Sequence, residues 1–142
     1  AEMMIPDALY AHRKGATDSE ALFLIALGEG LDRDPKAALE TATARLEALS
    51  RQKGTAPHFR MTAAFSDGER LYAVRYASDD HAPTLYHRWS EGRQGRAVVS
   101  EPLEAGECWE LVPPGTFCTF VGDEVRIEAF DPARCQGALA AE

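Results

Sequence analysis

The stretch GATDSEALFLIAL, residues 15–27, places acidic and hydroxyl side chains directly before a nearly unbroken apolar run. Thr17 and Glu20 match a capping box, in which the Thr hydroxyl accepts from the N–H of Glu20 and the Glu carboxylate accepts from the N–H of Thr17. Asp18 adds a second acid that suits the positive end of a helix dipole. The pattern therefore predicts a helix from about Asp18 to Gly28, ended by a glycine.

The centre of this helix, ALFLIAL, is apolar on every face, so the helix is expected to be covered on most sides. A second helix is predicted from its boundary residues, with Asp34 as the N-cap, Pro35 at the first helical position and Gly54 just past the end. Its apolar residues form one narrow stripe, which leaves Glu47 on the side that faces water. Residues 1–15 have no clear period and are expected to be irregular, apart from a helical turn in IPDALY.

From Phe59 the hydrophobic period changes to two, which indicates strands. FRMTAAF and RLYAVRY flank SDGE, and an Asp-Gly pair between two such runs is a strong hairpin signal. Further short strands are predicted in TLYHRW, AVVSEPL, CWELVP, TFCTFV and EVRIEAF, and the tail from Asp131 is expected to be weakly ordered. Helices followed by antiparallel strands predict an α+β fold with the helices on one face of a mainly antiparallel sheet.

Composition limits the classes of partner. A length of 142 residues fits one domain. The net charge of −8 argues against a nucleic-acid or anionic-membrane partner, because no basic stripe is present to neutralise phosphates. The longest apolar run, residues 21–27, is far shorter than the roughly 20 residues of a membrane span. An odd number of cysteines without C-x-x-C spacing favours a reducing, cytoplasmic location.

The reactive side chains show no catalytic or metal-binding spacing of their own. The histidines do not pair with cysteines or with one another, so we expect no metal and no cofactor. DDHAP, residues 79–83, could hold a cation but is more typical of a turn. Cys118 alternates with phenylalanines and is expected in the core. Taken alone, Asp18 is explained by helix-end electrostatics and Glu101 by the charge of an edge strand.

Three stretches follow one another along the chain: GATDSEALFLIAL, LYAVRYASDDHAPTLYHRW and AVVSEPL. The first resembles the T-D-[ST]-E stretch of class II glutamine amidotransferases. The second resembles that family's strand pair, which reads L-x-A-x-R and then a spaced P-L-Y, and the third resembles its short strand ending in S-E or S-D. Order and spacing agree over most of residues 15–121. The small stand-alone members, which include γ-glutamyl amide hydrolases of the ergothioneine pathway, are the most similar subgroup.

The resemblance implies the four-layer αββα sandwich of N-terminal-nucleophile hydrolases. In such enzymes an N-terminal Cys attacks the glutamine carboxamide, its own α-amine serves as general base, and a γ-glutamyl thioester forms as ammonia leaves. An Asn-Gly pair supplies the oxyanion hole. The Asp of the T-D-[ST]-E stretch binds the α-amino group of the substrate. That role falls on Asp18, with Thr17 and Ser19 as the neighbouring substrate-binding residues.

The nucleophilic Cys, an Arg-containing substrate loop and the Asn-Gly pair of the family all lie upstream of this motif. Cys108, Cys118 and Cys135 match none of those positions. We therefore expect the chain to be the C-terminal portion of such an enzyme, to supply no catalytic residue and to be inactive alone. Its expected partners are glutamine or another γ-glutamyl amide, the N-terminal half of the same protein and a second copy in a homo-oligomer. The rival interpretation is a non-catalytic α+β binding or interaction domain.

Overall fold

The structure, a computed structural model, describes residues 2–54, 58–104 and 108–140, except the side chains of residues 136 and 138–140. The fold is α+β and divides into two compact units. Unit 1 comprises Ala1–Pro57 with Asp131–Glu142, and unit 2 comprises His58–Phe130. Within the described ranges, no helix combines the length and the hydropathy that crossing a membrane requires.

Unit 1 holds the described helices. After a short 3-10 helix at Glu2–Met4, they are α1 (Asp7–Tyr10), α2 (Asp18–Gly28), α3 (Pro35–Lys53) and α4 (Ala133–Ala140). The predicted boundaries of α2 and α3 are confirmed. Asp34 accepts a hydrogen bond from the N–H of Ala37 at 3.2 Å, and Gly54 ends α3 in the left-handed conformation, with φ of 62°. The helical turn expected in IPDALY is α1.

Helix α4 corrects the expectation of a weakly ordered tail. Glu40 of α3 is 1% exposed, and its carboxylate accepts from the N–H of Asp131 at 2.7 Å. The same carboxylate pairs with Arg134 at 3.2 Å and with Lys36 at 2.8 Å. The contacts that anchor α4 therefore come from a residue about ninety positions earlier, which a local sequence pattern cannot show.

Helix α3 buries a wider face than the predicted apolar stripe. Glu47, expected on the side facing water, is 6% exposed, so that prediction is wrong. Besides Leu39, the buried face includes the small residues Ala38, Ala42, Thr43 and Ala44. Helix α2 is covered on most sides as expected, but Phe23 remains 45% exposed. An ion pair between Glu29 and Arg45 joins the end of α2 to α3.

Unit 2 contains two antiparallel sheets where a single sheet was expected. In the first sheet the strand order is β1-β2-β6-β7, and in the second it is β4-β3-β5. The strands are β1 (Arg60–Ser66), β2 (Leu71–Ala77), β3 (Tyr86–Ser90), β4 (Gly95–Val99), β5 (Glu110–Leu111), β6 (Thr116–Val121) and β7 (Glu124–Ala129). Each overlaps a stretch in which the sequence predicted a strand, but β4 begins two residues before AVVSEPL and ends at Val99.

The predicted Asp-Gly hairpin joins β1 to β2. Asp67 Oδ1 accepts from the N–H of Glu69 at 2.9 Å and of Arg70 at 2.7 Å, and Gly68 has a φ of 95°. These backbone hydrogen bonds lower the pKa of the Asp67 carboxyl. The Asp side chain binds backbone N–H groups of the turn, and the glycine adopts the positive φ that the turn needs. These two properties are why SDGE predicts a hairpin.

The two sheets pack face to face around one apolar cluster. Its buried members are Ala73, Leu85, Val112, Cys118 and Phe120, with Leu71 and Val98 packed against them. The expectation that Cys118 lies in the core is confirmed. Burial also raises the pKa of its thiol, so this cysteine is a packing residue and a poor nucleophile.

Candidate functional site

The predicted site residues occupy consecutive positions at the start of α2. Thr17 is the N-cap, and its Oγ1 accepts from the N–H of Glu20 at 3.3 Å. Asp18 and Ser19 are the first two helical residues, and all three site residues are exposed. The structure thus keeps them together, with Thr17 engaged in capping and the carboxylate of Asp18 open to solvent.

The other half of the predicted capping box is wrong. The Glu20 carboxylate does not bind the N–H of Thr17. It accepts instead from the N–H of Lys14 at 2.7 Å and from the N–H of Gly15 at 2.8 Å. A Cβ at Gly15 would lie 3.0 Å from Glu20 Oε2, which is a tight contact. A glycine at that position lets the carboxylate come close enough to hold both amides.

Arg13 fixes the same segment from the other side. Its Nε donates to the carbonyl oxygen of Gly15 at 2.9 Å, and its guanidinium pairs with Glu2 at 2.6 Å. The hydrogen bond to Glu2 raises the pKa of Arg13. Backbone and side-chain bonds therefore hold the chain leading into α2, so Asp18 starts from a fixed backbone position.

Asp18 differs from the acids around it in having no bonding partner among the described residues. Glu20 is occupied by backbone amides and Glu2 by a guanidinium. An exposed carboxylate with unused lone pairs accepts hydrogen bonds from a cationic group, such as an ammonium. The geometry of Asp18 is therefore compatible with binding the α-amino group of an amino acid.

In unit 2, sequence reasoning missed the role of Arg75, the arginine of the L-x-A-x-R stretch. Its buried guanidinium donates to the carbonyl oxygens of Pro83 at 2.7 Å, Val112 at 2.7 Å and Ala82 at 3.1 Å. One side chain on β2 thereby fixes the segment before β3 and the end of β5. The motif was visible in the sequence, but the carbonyls that it binds were not.

A second missed cluster centres on His87, a buried residue of β3. Arg96 approaches its Nδ1 at 2.8 Å, and Glu110 approaches its Nε2 at 3.4 Å. A guanidinium only donates, so Nδ1 accepts and the proton of the neutral ring lies on Nε2. Burial is the main cause that lowers the pKa of His87, and Arg96 adds to it while Glu110 opposes it.

Of the remaining candidates, DDHAP takes the structural role favoured by the sequence, whereas Glu101 lies in a bend after β4 and not on an edge strand. In DDHAP, the Asp79 carboxylate accepts from Arg60 at 2.6 Å and from the N–H of His81 at 3.1 Å, which holds the pKa of Asp79 far below its usual range. Glu101 accepts from the hydroxyl of Thr84 next to β3 and β4. Within residues 2–54, 58–104 and 108–140, the acids, histidines and cysteines form no group of three or more that could hold a metal ion.

Comparison with known proteins finds a likeness to a solved structure. No family model and no curated protein matches the chain. A solved structure of a glutamine aminotransferase class-II domain protein from Silicibacter pomeroyi is 55% identical, with a TM-score of 0.86 over 92% of this chain. The chain spans 59% of that protein's length. This likeness in sequence and fold supports the class II glutamine amidotransferase assignment indicated by the three ordered motifs.

Proposed function

We propose that this chain is the C-terminal portion of a class II glutamine amidotransferase-like enzyme and binds the α-amino group of its substrate. The observation that carries the proposal is the exposed carboxylate of Asp18, which has no bonding partner in the part of the chain that the structure describes, in a chain 55% identical to a glutamine aminotransferase class-II domain protein. The longer protein would hydrolyse a γ-glutamyl amide with water, giving glutamate and ammonia. The two sheets of unit 2 would form the central layers of its αββα sandwich.

Asp18 would act through a charge-assisted hydrogen bond. The substrate ammonium donates an N–H to the carboxylate, and the neighbouring Ser19 hydroxyl offers a second acceptor. Thr17 supports this arrangement indirectly, because its hydroxyl holds the first turn of α2. Hydrogen bonds to charged groups contribute roughly 1.5–3 kcal/mol, which corresponds to about 10- to 100-fold in binding.

The nucleophile would come from the N-terminal half of the same protein. The resemblance places the attacking Cys upstream of the T-D-[ST]-E stretch, and the cysteines of this chain fit the role poorly. Cys118 is buried with a raised pKa, and Cys135 lies beside the Thr41 hydroxyl at 3.8 Å. Cys108 is exposed but matches no family position. This chain would therefore supply substrate recognition and half of the sandwich, and no catalytic residue.

The decisive experiment pairs a variant with a modified substrate. In the full-length enzyme, Asp18→Asn removes the negative charge with little change in size. We expect kcat/KM for glutamine to fall roughly 10- to 100-fold, since the lost bond is charge-assisted. The same change should leave kcat/KM unaltered for the glutamine analogue that lacks the α-amino group, because Asp18 has no group to bind there.

Asp32→Asn is the matched control, since Asp32 is an exposed acid in the same unit whose side chain is 68% exposed. Equal losses with glutamine and with its des-amino analogue would contradict the proposed role of Asp18. The rival binding domain predicts no kinetic effect and only a small stability change from altered helix-end charge, about 0.3–1 kcal/mol.

The proposed location of the nucleophile in the N-terminal half gives a second test. The purified 142-residue chain should release no ammonia from glutamine above the buffer blank, whereas the full-length protein should release it. Ammonia release by the isolated chain would show that it carries its own nucleophile.

A further inference from the structure

Strand β7 is an edge of the first sheet and pairs with β6 only, among the described strands. Its apolar side chains are uncovered, with Val125 38% and Ile127 48% exposed. In the register with β6, Ile127 lies opposite Cys118 and Val125 opposite Phe120, so both share the face of the buried cluster between the sheets. The core face of this sheet therefore continues outward onto an exposed edge.

The hydrogen-bond pattern shows which backbone groups of β7 point away from β6. The N–H of Phe130 donates to the carbonyl oxygen of Gly115 at 2.9 Å, next to the pair formed by Thr116 and Ala129. Hydrogen-bonded pairs alternate along an antiparallel ladder. The backbone groups of Glu124, Arg126 and Glu128 consequently bond to β6, and those of Val125, Ile127 and Ala129 point outward.

We propose that a second copy of this chain docks on this edge, with the two β7 strands antiparallel about a twofold axis at Ile127. In this register Ile127 lies opposite the partner's Ile127, and Val125 lies opposite the partner's Ala129. These are the residues whose N–H and C=O groups point outward, so each can exchange hydrogen bonds with its opposite residue. The apolar face of the first sheet in one protomer then continues into the same face of its partner.

Charge complementarity favours a second copy of this chain as the partner, and it favours this register of the two strands. On the opposite face, Arg126 lies across from the partner's Glu128, and Glu128 across from the partner's Arg126. Within one strand these residues already pair at 3.1 Å. The dimer therefore forms a closed group of four alternating charges, and opposite charges directly across two strands stabilise their pairing. A contact that uses the same surface on both protomers is the commonest kind in homodimers.

The neighbouring registers are disfavoured. A shift by two residues in one direction places Arg126 against the partner's Arg126 and Glu124 against the partner's Glu128. A shift by two in the other direction places Glu128 against the partner's Glu128. Like charges directly opposite each other destabilise strand pairing. A shift by one residue sets apolar side chains against charged ones and loses the alignment of the outward backbone groups.

Charge reversal tests both the dimer and its register. The 142-residue chain and the full-length protein should both show the mass of a dimer in sedimentation equilibrium, with dissociation on dilution. A dimer of the 142-residue chain that is lost in the full-length protein would assign the β7 edge to the N-terminal half and overturn the proposal. Arg126→Glu and Glu128→Arg each place like charges opposite each other at two symmetric positions. Each should weaken the dimer roughly tenfold or more, and the double variant should restore it, because the opposite charges face each other again.

Two variants of exposed loop residues are the controls for charge alone: Arg93→Glu and Glu69→Arg should leave the dimer unchanged. Far-UV circular dichroism of every variant establishes that the fold is intact. A wild-type chain that stays monomeric at high concentration would overturn the proposal. So would a stronger dimer with Glu128→Arg, which is expected if Glu124 faces residue 128 of the partner, or a double variant as weak as the single ones.

Discussion

At the scale of single residues, Arg75 organises unit 2 through acceptors in two separate segments of the chain. Its guanidinium binds the carbonyl oxygens of Ala82, Pro83 and Val112. Buried carbonyls without a donor are costly, and a guanidinium has five N–H donors in a planar fork that can reach several at once. The three carbonyl bonds therefore give the arginine of the L-x-A-x-R stretch an architectural role.

Replacing Arg75 by Met keeps much of the side-chain volume and removes the donors. We expect Arg75→Met to lower the free energy of unfolding by about 3 kcal/mol, since the carbonyls are left buried and unpaired. Urea denaturation followed by circular dichroism measures the change. Arg93→Met, at an exposed arginine, should stay within about 0.5 kcal/mol of the wild type. Equal stability of the two variants would contradict the role given to Arg75.

His87 gives unit 2 a pH dependence. The pKa of its imidazole is lowered in the folded chain, chiefly by burial, from a value of about 6.5 in the unfolded chain. Protons therefore bind the unfolded chain more readily, and stability is lost as the pH falls below about 6.5. His87→Gln should lose less stability than the wild type between about pH 7.5 and 5.5.

Urea midpoints at the two pH values measure this difference. His81→Gln is the control, because the ring of His81 is 76% exposed. A wild-type pH dependence that persists unchanged in His87→Gln would assign the effect to other groups. Arg96 and Glu110 face His87 directly, so both residues are kept unchanged in the two variants.

At the scale of elements, local signals were sufficient for α2, α3 and the β1–β2 hairpin. Thr17, Asp34 and Gly54 set helix ends, and Asp67 with Gly68 sets the turn, through bonds that span at most a few residues. The same local reasoning predicted the wrong partner for the Glu20 carboxylate. The path of the chain before Thr17 decides which backbone amides lie near this carboxylate.

Helix α4 and the clusters of unit 2 lay beyond such reasoning. The stretch ARCQGALA contains a glycine, which disfavours a helix, and contacts with Glu40 hold the start of this helix. The bonds of Arg75 and His87 likewise join residues from separate strands. At the candidate site, the capping role of Thr17 was predictable, but the backbone amides that the Glu20 carboxylate binds were not.

Glu40 should control whether α4 stays docked on α3. We expect Glu40→Gln to weaken the pairs with Lys36 and Arg134 and to lower the hydrogen-exchange protection of α4 more than that of α3 or α2. Hydrogen exchange followed by mass spectrometry resolves the helices separately. Arg134→Ala should give a smaller loss, since the N–H of Asp131 still binds Glu40. An equal loss of hydrogen-exchange protection in all helices would mean that α4 does not unfold separately from the other helices.

At the scale of the whole molecule, the three thiols report on different degrees of opening. Cys108 is exposed, Cys135 is partly buried and Cys118 lies in the core between the sheets. Alkylation needs an accessible thiolate, and Cys118 combines burial with a raised pKa. Its modification should therefore require unfolding of unit 2.

We expect N-ethylmaleimide to label Cys108 within minutes in the native chain and Cys118 only in denaturant. The labelling of Cys118 should rise in step with the loss of circular dichroism as urea increases. Peptide mass spectrometry identifies each labelled site, and Cys118→Ala provides the reference without that thiol. Rapid native labelling of Cys118 would show that the two sheets separate readily without global unfolding.

The three carbonyls held by Arg75 have a consequence for redesigning the molecule. Residues 78–84 and the segment that follows β5 are separate connections along the chain. The guanidinium of Arg75 nevertheless binds both of them. A segment from another protein could replace residues 78–84 only if two of its consecutive carbonyl oxygens lay where those of Ala82 and Pro83 lie. Swapping either connection alone therefore risks loosening the other, and the two have to be exchanged as a pair.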